Sequence, residues 1–164
     1  MAAVLSQRRK RKSLTSGSAD TVVRKATELD LDPIKTVADA HRRELGFVRR
    51  PALLEAIKHE EVFVAQQGRQ VVGFVYYHHR RDGQTTLYDV AILPACRSVG
   101  IGRALIDAVV AETGALGKEA LVLRCPVDLP ANGFYARLGF ERWKEEPGKR
   151  RGLVVWRLLI PPHR

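Results

Sequence analysis

Between residues 85 and 125 the hydrophobic period changes twice, and that change limits what the chain can fold into more than anything else in it. Thr85 to Leu93 reads as a strand, while Ile101, Leu105 and Val109, with Ile106 and Val110, recur at the spacing of one helix face. Ala120 to Cys125 (ALVLRC) then returns to a short apolar run. A helix from Gly102 to Thr113, ended by Gly114 and carrying Arg103 and Asp107 outward, fits the middle segment. Strand, helix and strand make one crossover, and a crossover joins parallel neighbours.

The flanking sequence has the period of antiparallel structure. Thr21 to Ala26 (TVVRKA) suits a first strand. Asp30 or Asp32 can cap a helix with Pro33 in its first turn, and Ile34, Val37, Ala38 and Leu45 share a face before Gly46. A second short helix spans Pro51 to His59. Val62 to Ala65, Val71 to His78 and Thr85 to Leu93 are strands separated by turns at Gln67-Gly68 and Asp82-Gly83, which makes a meander. Downstream, a short helix from Pro130 to Leu138 stops at Gly139, and Phe140 to Trp143 with Gly152 to Ile160 form a hairpin around Pro147-Gly148. The expected fold class is α/β (α+β): a mixed, mostly antiparallel sheet of six or seven strands with a central parallel βαβ pair and about four helices.

With 164 residues the chain is sized for one domain, expected over residues 21–164 behind a basic tail of residues 1–20. The tail holds the run Arg8 to Lys12 and reads as a solvated disordered segment in preference to a targeting or nucleic-acid-binding one. No apolar stretch approaches the ~20 residues of a membrane span. Cys96 and Cys125 show neither a disulfide framework nor zinc spacing, and five histidines show no ligand grouping, so no metal is expected and a reducing, cytoplasmic setting fits. The net charge of +10 suits acidic or nucleic-acid partners, yet a solvated basic surface explains it equally well.

The chemistry concentrates in Ala91-Ile92-Leu93-Pro94-Ala95-Cys96-Arg97-Ser98-Val99-Gly100-Ile101-Gly102-Arg103, a strand passing through a glycine turn into a helix. Glycines there leave backbone N–H groups unobstructed, the helix N-terminus adds partial positive charge, and Arg97 and Arg103 add full charges, which together make an anion site. A dinucleotide fingerprint starting at Gly100 fails at Leu105, and a P-loop fails because Gly117-Lys118 is followed by Glu119. The Arg97-x-x-Gly100-x-Gly102 spacing after Ala-Ile-Leu-Pro resembles the acetyl-CoA motif of the GNAT superfamily of N-acetyltransferases. Ala131 to Phe140 (ANGFYARLGF) is similar to that family's second signature, an aromatic-Tyr pair before Gly-Phe.

The resemblance implies an acetyl-CoA-dependent N-acetyltransferase. Its acyl donor would pair with backbone at Ile92 and Leu93, and the amides of Arg97, Ser98, Val99, Gly100, Ile101, Gly102 and Arg103 would take the pyrophosphate. Tyr135 matches the tyrosine that protonates the departing thiolate, a role a phenol can fill at neutral pH; as a plain reading, it is a core aromatic beside Phe134. Where the family has a cofactor-binding Asn, this chain has Asp128, leaving Asn132 to take that role or Asp128 to cap a helix. Thr86 and Tyr88 stand where relatives carry a base, so Asp89, His78 and His79 are the candidates, beside a water relay. Cys125 is more simply a buried structural thiol than a nucleophile. The acceptor is expected to be a primary amine on a small molecule or protein, with no membrane partner, and the protein a monomer or homodimer. The rival reading is a non-catalytic acyl-CoA-binding or RNA-associated module, or a tRNA-directed acetyltransferase, with nucleic acid a less expected partner.

Overall fold

The computed structural model of the chain describes residues 20–97 and 99–162. The tail run Arg8 to Lys12 and Ser98 therefore lie outside the described residues. A single seven-stranded sheet is built from β1 (Thr21–Lys25), β2 (Val62–Gln67), β3 (Gln70–His79), β4 (Gln84–Ile92), β5 (Ala120–Pro126), β6 (Glu141–Glu146) and β7 (Leu153–Leu159). Its spatial order is β1-β2-β3-β4-β5-β7-β6, antiparallel except for β4 with β5. The mixed sheet and its parallel pair are thus those expected from the sequence.

The helices are α1 (Leu31–Ala40), α2 (Arg42–Leu45), α3 (Arg50–Lys58), α4 (Ile101–Ala115) and α5 (Ala131–Arg137). There are five instead of four because the first expected helix breaks at His41 (φ −112°, ψ 26°). Asp30 precedes α1 without capping it through its side chain; its carboxylate accepts from Arg24 at 2.7 and 2.9 Å and from the Thr27 N–H at 2.8 Å. That pairing holds the Asp30 carboxyl below the usual carboxylate range. Gly114 does not end α4 either: it is buried inside the helix, and the left-handed residue comes later, at Gly117 (φ +70°).

The sheet carries a core on each face. On one, α4 sets Leu105, Ile106 and Val109 against Val75, Leu121 and Leu123, and Tyr135 and Phe140 extend the cluster. On the other, Ile34, Val37, Leu53 and Ile57 from α1 and α3 cover Val64, Phe74 and Ala91. Each fully buried aliphatic side chain of this kind contributes roughly 1.5–3 kcal/mol. α1 and α3 cover one face of the sheet over β3 and β4, and α4 crosses the other face from β1 to β5.

Candidate functional site

The parallel ladder between β4 and β5 is short. Gln84 to Leu87 face Ala120 to Leu123, and pairing stops there. Beyond it β4 stays with β3 and β5 stays with β7, so the two strands part and leave a wedge between their C-terminal ends. The cause is local: Tyr88 is an extra residue between Leu87 and Asp89, which pair with the adjacent Tyr77 and Tyr76 of β3. A bulge of this kind bends and twists its strand.

The same ladder dictates what the wedge presents. The Leu93 N–H donates to the Val72 carbonyl at 2.8 Å, and by antiparallel alternation Val90 and Ile92 turn their peptide groups away from β3, toward the gap. Of the two backbone positions expected to pair with an acyl donor, Ile92 turns its N–H away from β3, while the Leu93 N–H is committed to Val72. Val90, which was not anticipated, turns away from β3 as Ile92 does.

At the mouth of the wedge, Gly100 caps α4 in the left-handed region (φ +86°), and a Cβ added there would meet nothing within 4 Å. The first bond into the helix runs from the Ala104 N–H to the Gly100 carbonyl at 3.1 Å, which leaves the N–H groups of Ile101, Gly102 and Arg103 without helical partners. The first turn contains no acid, and Arg97 and Arg103 are both exposed beside it, so the potential is positive. Val99 is half exposed, whereas the Ile101 side chain is buried and offers only its amide. Gly102 has a packing reason as well: a Cβ would lie 2.9 Å from Phe134 Cζ and 3.1 Å from Ile92 Cδ1.

Tyr135 lies on α5, buried edge-on against Phe134 and Phe140 with centroids at 5.3 and 5.7 Å. Its hydroxyl has no hydrogen-bond partner among the described residues, and burial, helped by the fields of Cys125 and Asp89, raises its pKa, so it keeps its proton at neutral pH. Asp89 is partly buried on β4, and burial pushes its carboxyl up to about 6. Its charge raises the pKa of both Tyr135 and Tyr76, and the Tyr76 ring lies tilted against Tyr88 with centroids 5.0 Å apart. Cys125 is buried, its thiol is pushed up to about 11 by burial, and it donates to the Pro126 carbonyl at 3.6 Å, which makes it a poor nucleophile. Among the described residues no group of His, Cys, Asp and Glu is arranged to hold a metal, and no helix is long and apolar enough to cross a membrane.

Residues 58–142, more than half of the chain, match the family model of the acetyltransferase (GNAT) domain. The chain belongs to the GNAT acetyltransferase family. It is similar to serotonin N-acetyltransferase 2, chloroplastic, of Oryza sativa subsp. japonica, at 29% identity over 146 residues, covering 83% of this chain and 67% of that protein. It is also similar to mycothiol acetyltransferase of Pseudarthrobacter chlorophenolicus, at 32% identity over 123 residues, covering 67% of this chain but only 38% of that larger protein. The fold is shared with an acetyltransferase structure from Salmonella typhimurium with its cofactor acetyl-CoA: TM-score 0.72, 18% identity, 88% of this chain and 96% of that one.

Within this GNAT domain several expected residues have other partners. Asn132 donates from Nδ2 to the carbonyls of Pro126 and Leu129, both at 2.8 Å, and accepts from Trp156 Nε1 at 2.9 Å. Its amide hydrogens are taken, so it braces the β5–α5 loop and has no donor left to offer a ligand. Asp128 caps nothing; Arg151 donates to it at 2.8 and 3.0 Å, linking two loops. The adjacent histidines diverge, His78 to Glu61 at 2.9 Å, and His79 to Glu112 at 2.8 Å and Thr85 at 2.7 Å. Glu112 sits in the last turn of α4, so His79 lies at the far end of that helix from the glycine turn.

His41 is the residue that the sequence reading missed. It is 5% exposed, and its Nε2–H donates to the Ile92 carbonyl at 2.6 Å, directly at the wedge. A signal existed, because position 41 falls on the same apolar face as Ile34, Val37, Ala38 and Leu45.

Proposed function

We propose that this GNAT domain transfers an acetyl group from acetyl-CoA to a primary amine by direct attack, with Asp89 as general base and Tyr135 as general acid. What supports the reading is that β4 and β5 part where Val90 and the Ile92 N–H turn away from β3, close to a glycine turn whose helix-start N–H groups lack helical partners, while Tyr135 keeps its proton and burial pushes the Asp89 carboxyl up to about 6. Acetyl-CoA supplies an activated acyl thioester there.

The chain's own groups divide the work. The amides of Ile101, Gly102 and Arg103, with the Arg97 and Arg103 guanidiniums, bind the pyrophosphate, as N–H groups at a helix start are disposed to do. The peptide groups of Val90 and the N–H of Ile92 extend the sheet to the donor's amide arm, the Ile92 carbonyl being held by His41, and an N–H on that edge polarises the thioester carbonyl. Asp89, ionised above pH ~6, removes a proton from the incoming amine as its nitrogen forms the new C–N bond. Tyr135 holds a proton at its hydroxyl for the sulfur as the C–S bond breaks, so one proton leaves the amine, one reaches the thiol, and the two side chains reset through solvent.

Release of free thiol from acetyl-CoA, followed across a panel of primary amines, tests this directly. Turnover with at least one amine, dependent on both Asp89 and Tyr135, is the expected result. Turnover unaffected by replacing either residue rules out its assigned role.

A further inference from the structure

The contacts of His41 have a consequence for the same site. The ring sits where the α1–α2 break turns it onto the sheet, and its Nε2–H is committed to the Ile92 carbonyl at 2.6 Å. Two charged groups compete for the rest of it. Glu44, from α2, places Oε2 3.2 Å from Nδ1, a contact that becomes a hydrogen bond only when Nδ1 carries a proton. Arg97, from the loop after β4, brings Nη2 to 2.8 Å from Nδ1 and 3.4 Å from Nε2. Being near both ring nitrogens at once, this guanidinium nitrogen lies across the ring, an arrangement that suits a neutral imidazole and repels an imidazolium. On the same helices Lys35 pairs with Asp39 at 2.7 Å, and Arg42 lies 5.3 Å from the Phe47 ring centroid.

The ring therefore satisfies Arg97 in one protonation state and Glu44 in the other. Arg97 is also a guanidinium assigned to the pyrophosphate, so what draws it off the ring changes which state is favoured. We propose that His41 is a positioning residue for the acyl donor: when Arg97 moves to the pyrophosphate, His41 takes up a proton at Nδ1 and closes onto Glu44, keeping its grip on the Ile92 carbonyl. The exchange balances in charge. A cation leaves the ring for a phosphate dianion, and a proton from solvent replaces it beside Glu44. Because His41 joins α1 to α2, the same event ties donor binding to the helices flanking the other side of β4.

This inference rests on the acetyl-CoA reading, and the test separates the two. Titration calorimetry with acetyl-CoA alone, in buffers of different ionisation heat, counts the protons taken up on binding. We expect a net uptake of up to about one proton per acetyl-CoA bound, with Kd weakening by up to about tenfold per pH unit wherever that uptake occurs. Both should disappear in His41→Gln while binding persists. Measuring in an Asp89→Asn background removes the carboxyl that burial pushes up to about 6. Should the buried His41→Gln fail to fold, Glu44→Gln, whose side chain is about half exposed, must also diminish the uptake. Binding with no proton uptake, or uptake unchanged in His41→Gln or Glu44→Gln, overturns the role of His41 alone. No binding of acetyl-CoA at any pH overturns the reading beneath it.

Discussion

Asp89 is costly to the fold, and the proposed mechanism puts that same side chain to use in the chemistry. Its carboxyl titrates near 6 in the folded protein against about 3.9 in an unfolded chain. Above pH ~6 the folded state carries a poorly solvated charge that the unfolded state solvates freely, so the penalty is fully present there. Below the unfolded value both states are neutral and the penalty is gone; this group favours folding on the acid side. Asp89→Asn should accordingly raise stability at pH 7–8 by roughly 2 kcal/mol while lowering kcat by about 10²–10⁴, and it should abolish the acid limb of the kcat/KM profile near pH 6. A thermal melt and a pH-rate profile on the same preparation check both halves. Tyr135→Phe should lower kcat by a similar factor with acetyl-CoA affinity nearly unchanged, which calorimetry and single-turnover kinetics resolve. The side chains whose partners the sequence did not reveal share one trait, a partner distant along the chain. Asn132 is claimed by Trp156, Asp128 by Arg151 and His41 by Ile92, and no local pattern announces those pairs.

Elements were more legible than residues, because their signals are local. The period of Ile101, Leu105 and Val109 and the glycines at 100 and 102 suffice to place a strand, a turn and a helix in order. What they do not distinguish is why each glycine is there. Gly100 serves backbone conformation in open space, and Gly102 serves contact with Phe134. Gly102→Ala should therefore lower stability by about 1–3 kcal/mol through overpacking, before any charge reaches the phosphate site. Phe134→Leu, which shortens the opposing ring, should recover a large part of that loss in the double variant. Additive losses in denaturant melts would place the strain elsewhere. The break between α1 and α2 was invisible for a related reason: Leu45 keeps the apolar rhythm across it, and His41 at the break finds its partner, Ile92, 51 residues away.

Across the whole molecule, the sheet is two half-sheets joined by four residue pairs of parallel ladder, with α4 spanning the join. A ligand that lies in the wedge completes that join. Acetyl-CoA at 100 times its Kd should stabilise the native state by about 2.7 kcal/mol, worth about 5–10 °C in Tm for a domain of this size. Hydrogen exchange should slow at Val90 and Ile92 more than at β1 or β6; uniform protection would contradict a ligand seated in the gap. The opening itself depends on one surplus residue, Tyr88. A deletion of that single codon would leave Leu87 and Asp89 as consecutive partners of Tyr77 and Tyr76, straighten β4 and let it zip further along β5. The shorter gene would then encode a more regular sheet in which the reaction has no place to occur.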